Sequence, residues 1–194
     1  MEQVRPTRYP NQAHAPSQEA AVATVEFGPR DFRNALGRFA TGITVVTMRA
    51  QVDDDAAAGG QDQTFGITVN AFMSVSLEPP LVAVSVDKRA RAHTTLLSAE
   101  RFGVSVLEAG QERLSNLFAG RPVEPPAAPF EEFAGFPVVR GALTQLVLSR
   151  YQAHDAGDHT IFVGRVEALR YSEGDPLLFF KGQYQELSAG QAVR

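Results

Sequence analysis

The sequence predicts a mainly β protein with short helices, arranged as a barrel and not as a parallel α/β sheet. Three observations predict it. Short runs rich in Val, Ile, Thr and Phe recur along the chain, with only a few short helical segments between them. Residues 64–78, TFGITVNAFMSVSLE, alternate in character: Phe65, Ile67, Val69, Ala71, Met73, Val75 and Leu77 are apolar, whereas Thr64, Gly66, Thr68, Asn70, Phe72, Ser74, Ser76 and Glu78 are mostly polar or small. The last third reads as three strands, ALTQLVLSRYQAH, HTIFVGRVEALRY and LLFFKGQYQEL.

Along the chain, residues 1–26 are polar, contain Pro6, Pro10 and Pro16, and lack periodicity, so they read as a flexible arm. A single domain spans 27–187, and 188–194 form a C-terminal tail. The segment GPRDFRNALGRFATG reads as a helix. Pro29 suits its first turn, Asp31 its positive end, and Phe32, Ala35, Leu36 and Phe39 fall at i, i+3, i+4 and i+7. ITVVTM is a strand, and residues 50–63 are a loop between two strands. The alternating run exceeds a usual strand of about 5–6 residues, so it bends or splits near Asn70 to Met73. LVAVSV is a buried strand, RARAHTTLLS a short helix, FGVSVL a strand and GQERLSNLFA a helix. RPVEPPAAPFEEFAGFP is punctuated by prolines and reads as loop.

Composition narrows the function. The chain has 194 residues, 44% hydrophobic and 21% charged, with a net charge of −4. No basic field for a nucleic-acid partner exists. Without cysteine, thiol catalysis, iron–sulfur clusters and Cys-ligated zinc are ruled out within the chain. No apolar run approaches the roughly 18 residues of a membrane span, and no secretory signal opens the sequence, so a cytoplasmic protein with no membrane partner is the expectation. G-x-G-x-x-G, Walker A, H-E-x-x-H and G-x-S-x-G are all absent. HDAGDH offers His154, Asp155, Asp158 and His159 as metal ligands. Two histidines five apart on one strand face opposite ways, so a turn with Asp chemistry is favoured and no metal is expected.

Two features point to a ligand. The polar face of the alternating run carries hydroxyls and an amide in place of the usual charges, which suits a sheltered, hydrogen-bonding guest. Local turn bonding is the alternative for Thr68 and Asn70. VDKRARAHTT then sets Lys88, Arg89, Arg91, Thr94 and Thr95 at a helix start, where backbone N–H groups favour a phosphate; plain solvated cations are the alternative. A planar ring on Thr68, Asn70, Ser74 and Ser76, with a phosphate tail on Lys88, Arg91 or Thr94, describes a flavin.

The order GRFATGITVVT, TVNAFMSVSLEPPLVAVSV, RFGVSVL, AGDHTIFVGRVEAL and PLLFFKGQY resembles the short-chain flavin reductase family, which includes reductase components of two-component flavin monooxygenases. The resemblance implies an FMN-binding split β-barrel of Greek-key topology, usually homodimeric, with FMN or FAD as flavin and NADH or NADPH as co-substrate. It implies that Thr68, Val69, Asn70 and Ala71 line the ring, and that Ser85, Val86, Lys88, Arg91 and Thr94 surround the ribityl phosphate. Phe118 would cover part of the flavin. Gly157, Asp158 and His159 would lie by the nicotinamide with Tyr184, His159 being the catalytic candidate. The implied activity is reduction of free flavin for a separate monooxygenase. The alternatives are a split-barrel flavoprotein acting on a non-flavin acceptor, and a non-catalytic flavin- or heme-binding module. Two departures from the family pattern are the long acidic 50–63 loop and Arg165, where an acidic residue is more usual.

Overall fold

The computed structural model describes residues 26–51 and 62–187. Apart from their edges, the expected arm, the 50–63 loop and the C-terminal tail lie outside the described residues. The elements in order are α1 (Pro29–Leu36), β1 (Thr41–Gly42), β2 (Thr44–Gln51), β3 (Asp62–Val69), β4 (Phe72–Leu77), β5 (Pro80–Asp87), α2 (Arg91–Ser98) and β6 (Arg101–Val106). There follow a 3-10 turn (Ala109–Gln111), α3 (Glu112–Phe118), β7 (Phe130–Phe133), β8 (Phe136–Val139), β9 (Thr144–Ala156), β10 (His159–Tyr171), β11 (Leu178–Phe180) and β12 (Gln183–Gln185).

Seven strands form one antiparallel sheet in the order β3-β2-β6-β9-β10-β5-β4. The expected break in the alternating run falls at Asn70–Ala71 and does something specific. It carries the chain from one edge of the sheet, β3, directly to the other, β4, so the sheet must curl back on itself. Two bonds secure the closure: Ser85 N–H donates to Ala71 O at 3.0 Å, and Thr44 Oγ1 donates to Val69 O at 2.6 Å. The enclosed core draws Val46 and Met48 from β2, Val69 from β3, Val84 and Val86 from β5, Phe102 and Val104 from β6, Leu146 and Leu148 from β9 and Phe162 from β10. Leu96 of α2 joins them. His93, also buried on α2, shares a 2.8 Å hydrogen bond with Thr160 Oγ1 and meets the Phe162 ring edge-on at 5.7 Å.

Close packing of this interior depends on a small residue in β10. The β9–β10 register shifts between Val163 and Gly164, and a Cβ at Gly164 would sit 2.6 Å from Phe102 Cζ and 3.1 Å from Leu148 Cβ. Gly164→Ala is therefore expected to destabilise the fold by about 1–3 kcal/mol, the range for overpacking a core. Urea unfolding followed by circular dichroism checks this, and an unchanged midpoint would contradict it.

The structure refines the sequence reading at four places. First, α1 buries no residue, and Phe32 and Leu36 are 52% and 58% exposed with Phe39 at 76%. The barrel interior is filled by the strands and α2, which leaves the α1 stripe outside. Second, beyond the Asn70–Ala71 link the alternation changes sides: Phe72 packs toward the core, while Met73, Val75 and Leu77 are exposed. A register shift between Ser74 and Ser76 further breaks the single face. Third, the proline-rich segment contains a hairpin, β7–β8, turning through Ala134 (φ 48°) and Gly135 (φ 71°). It buries Phe136 and Val138, and the guanidiniums of Arg49 and Arg101 lie 5.5 and 5.4 Å from the Phe136 ring centre. Fourth, LLFFKGQYQEL is two strands turning at Lys181–Gly182, and with β1 they form a separate three-stranded sheet.

Candidate functional site

A large cleft, about 1060 Å³, opens on the outer face of the barrel beside the closure. Its position follows from strand parity. Ser85 and Ile161 are register partners, as are Ala83 with Val163 and Asp87 with His159, so these residues share one face of the β5–β10 pair. Ala83, Ser85 and Ile161 form the floor, Asn70 and Ala71 one rim, Leu36 and Phe39 another, and Phe179 and Lys181 a third. Among the described residues, Arg33, Arg38 and Lys181 line it and no carboxylate does, so its electrostatics favour an anionic guest. An apolar floor with the amides of Asn34 and Asn70, the hydroxyls of Thr41 and Ser85 and flanking cations suits a flat heteroaromatic ring bearing phosphate.

His159 and Asp87 continue the same face past Ser85 and Ile161 to the β9–β10 turn. Gly157 takes φ 63° there, a conformation that favours glycine. Lys88 ties this turn to the β5–α2 junction: its Nζ donates to Gly157 O, and its backbone N–H donates to Asp158 O, both at 2.9 Å. The Lys88 ammonium also lies 3.4 Å from the Asp155 carboxylate. His159 Nδ1 sits 2.7 Å from Asp158 Oδ1, a contact that orients the ring and leaves Nε2 for a ligand. Hydrogen bonding to His159, and then the charge of that ring, hold the Asp158 carboxyl below the usual carboxylate range. Hydrogen bonds from the Arg89 side chain and backbone hold Asp87 lower still.

The residues singled out in the sequence divide among several places. Asn70, Ala71 and Ser85 line the large cleft. Val69 and Val86 send their side chains into the core at 6% and 2% exposure, so only their backbones could meet a ligand. Ser74 and Ser76 line neither this cleft nor its neighbour. Thr68, Arg91 and Phe118 line that neighbour, a cleft of about 630 Å³ between α2 and α3. Thr94 is exposed on α2, whose first turn has no side-chain cap and no acidic residue. The Thr68 hydroxyl donates to Ser115 O at 2.7 Å, and the Tyr184 hydroxyl reaches Ser115 Oγ at 2.9 Å and Asn116 Oδ1 at 3.0 Å. Tyr184 thus braces α3 and the cleft wall through Phe179, whose ring it meets at 5.5 Å, and its partners do not include the Gly157–His159 turn. Arg165 lies exposed on β10 opposite Leu81. Arg33, Leu36, Arg38 and Phe39 were missed as site residues, because their apolar neighbours on α1 resemble any core-facing helix; Ile161 and Lys181 carry no motif at all.

Comparison with known proteins agrees with this geometry. The family model described as a flavin reductase like domain matches residues 36–188. An NADH-dependent flavin reductase from a Rhodococcus species is 44% identical over 171 residues, covering 88% of this chain and 93% of its own length. The reductase component of 4-hydroxyphenylacetate 3-monooxygenase from Thermus thermophilus is 43% identical over 157 residues, covering 80% of this chain and 95% of its own. Among solved structures, a flavin reductase in its native state superposes with a TM-score of 0.75 at 41% identity, covering 84% of this chain and 99% of that one. The NADH:FAD oxidoreductase of Streptomyces globisporus in complex with NAD and FAD fragments superposes with a TM-score of 0.73 at 34% identity, covering 85% and 98%. With a family match over residues 36–188, relatives above 40% identity over most of its length and a closely superposing antiparallel barrel, this chain belongs to the flavin reductase-like family of split-barrel proteins.

Proposed function

We propose that the chain is an NADH-dependent flavin reductase that supplies reduced FMN or FAD to a separate monooxygenase. The observation that carries this is the large cleft, in which an apolar floor at Ala83 and Ile161 meets the Asn70 amide and Ser85 hydroxyl and runs toward His159. The residues fit a flavin. The floor suits the ring, Asn70 and the Ala71 backbone suit its pyrimidine edge, and the cations Lys88 and Arg91 with Thr94 suit the phosphate at an uncapped helix start.

A bound flavin would supply the redox chemistry as hydride acceptor, so the protein needs no nucleophile. Its own residues position and shield. Ile161, Leu36 and Phe39 would shield the ring from water, and the Asn70 amide at the rim could stabilise the edge where negative charge develops on reduction. His159, oriented by Asp158 and held beside Gly157, presents Nε2 to the nicotinamide amide. A reductase that hands its product to another enzyme gains no rate from tight ground-state binding, so exchangeable flavin is expected.

Relatives named as NADH-dependent support NADH over NADPH, and relatives named as monooxygenase components support an oxygenase partner. The reading implies a cytoplasmic setting, where NADH is generated. Phe32, Leu36, Phe39, Met73, Val75 and Leu77 are large apolar side chains left exposed on the single chain, which supports a homodimer.

An anaerobic titration of the purified protein with added FMN or FAD tests the function. NADH should bleach the oxidised-flavin absorbance catalytically, and steady aerobic NADH oxidation should require free flavin. Flavin that stays oxidised with either nicotinamide would refute the reading.

A further inference from the structure

We propose that His93, on the buried side of α2, is a positioning residue for flavin reduction. Its side chain braces the start of β10, from which His159 projects, against the helix whose first turn carries Arg91 and Thr94. This rests on the proposed reductase reading and gives a role to a group that reading does not use. At 8% exposure the His93 imidazole has exchanged water for a protein partner, so what it bonds to shows what it holds.

His93 Nε2 lies 2.8 Å from Thr160 Oγ1, and Thr160 is itself 2% exposed. The Asp155 carboxylate stands 3.5 Å from the same hydroxyl. An ionised carboxylate only accepts, so the Thr160 proton turns to Asp155 and the Thr160 oxygen receives the proton of His93 Nε2. The sequence of contacts therefore runs from α2 through β10 to β9. It closes on itself through Lys88, whose Nζ lies 3.4 Å from Asp155 and donates to Gly157 O, while its backbone N–H donates to Asp158 O. Two ties thus join the α2 segment to the β9–β10 turn, Lys88 before the helix on the exposed side and His93 within it on the buried side. One tie would leave the helix free to rock about a single point, and the second, five residues on, fixes its angle. His159 and Thr160 are consecutive on β10, so their side chains leave opposite faces. Gripping the Thr160 hydroxyl from inside fixes the backbone that aims His159 outward. The edge-on contact with Phe162 at 5.7 Å keeps the imidazole in the plane that makes this bond.

Two variants separate alignment from stability. His93→Phe keeps a ring beside Phe162 and removes the donor, whereas His93→Gln keeps an N–H donor near the place of Nε2 and removes the ring. In anaerobic stopped-flow at saturating NADH, His93→Phe should reduce bound flavin on the order of 10-fold more slowly, as a small misplacement of reacting groups does. It should nonetheless keep more of the urea midpoint than His93→Gln, which should recover most of the rate. Amide hydrogen exchange of the unliganded protein reads the brace directly. Residues 157–160 should exchange roughly 5-fold faster in His93→Phe and at the unaltered rate in His93→Gln. If His93→Phe does not fold, Thr160→Val, which deletes only the hydroxyl, takes its place with the same expectations. A rate that follows the midpoint through both variants, or turn exchange unchanged by loss of the donor, would overturn the inference. An unaltered protein that reduces no flavin would instead remove the proposed function, and the exchange comparison would still decide whether His93 holds the turn.

Discussion

The His159→Ala variant is expected to lose on the order of 100-fold in NADH-dependent flavin reduction, the lower range for removing a group that positions or protonates a reactant. Its flavin affinity should stay close to that of the unaltered protein, because Asn70, Ala71 and Ser85 remain. Stopped-flow reduction under anaerobic conditions separates the two quantities, and an unchanged reduction rate would take His159 out of the mechanism. The pH behaviour follows from Asp158. Its carboxyl titrates below the usual carboxylate range, so the contact to His159 Nδ1 is fully present above the ordinary carboxylate value. It is lost only as pH falls through the lowered one. Asp158→Asn should therefore weaken the orientation of His159 at neutral pH, with a smaller loss of rate than His159→Ala.

The largest expected effect on stability belongs to Phe162→Ala, about 3–5 kcal/mol. Phe162 is fully buried at 0% exposure, sits among side chains from the opposed strands, and receives the edge of His93. Removing the ring leaves a cavity that the rigid barrel cannot close, and it strips His93 of its apolar neighbour. Urea denaturation should show the midpoint falling with little change in slope. A loss below about 1 kcal/mol would mean that the interior repacks, contrary to its present close fit.

Much of the architecture was legible because strands announce themselves by parity. The alternation through Val69, the continuous apolar run at Leu81 to Val86 and the long β9–β10 pair are local signals, and each lies where its residues predict. What parity cannot convey is which of two faces is inside once the chain turns. Phe72 packs inward and Met73 outward because the link at Asn70–Ala71 resets the count. α1 misled for a related reason: an apolar stripe states that something covers it, not whether that something is the core. The β7–β8 hairpin was hidden by the prolines before it, although Ala134–Gly135 between two Phe-bearing runs was the available turn signal. At the site, Asn70 and Ser85 could be named from a strand face and motif order. Thr68 and Tyr184 could not be placed, since their partners Ser115 and Asn116 lie far away in sequence and come near only through the fold.

Asn70 and Ala71 both shut the barrel and form a rim of the ligand cleft. Occupancy and integrity are thereby one equilibrium seen from two sides: a guest gripping those residues also holds the ends of the sheet together, and a chain that loosens there sheds its guest. Each increment of flavin above its dissociation constant should raise the melting temperature, so a cell starved of flavin would carry this protein in its softest and most protease-sensitive form.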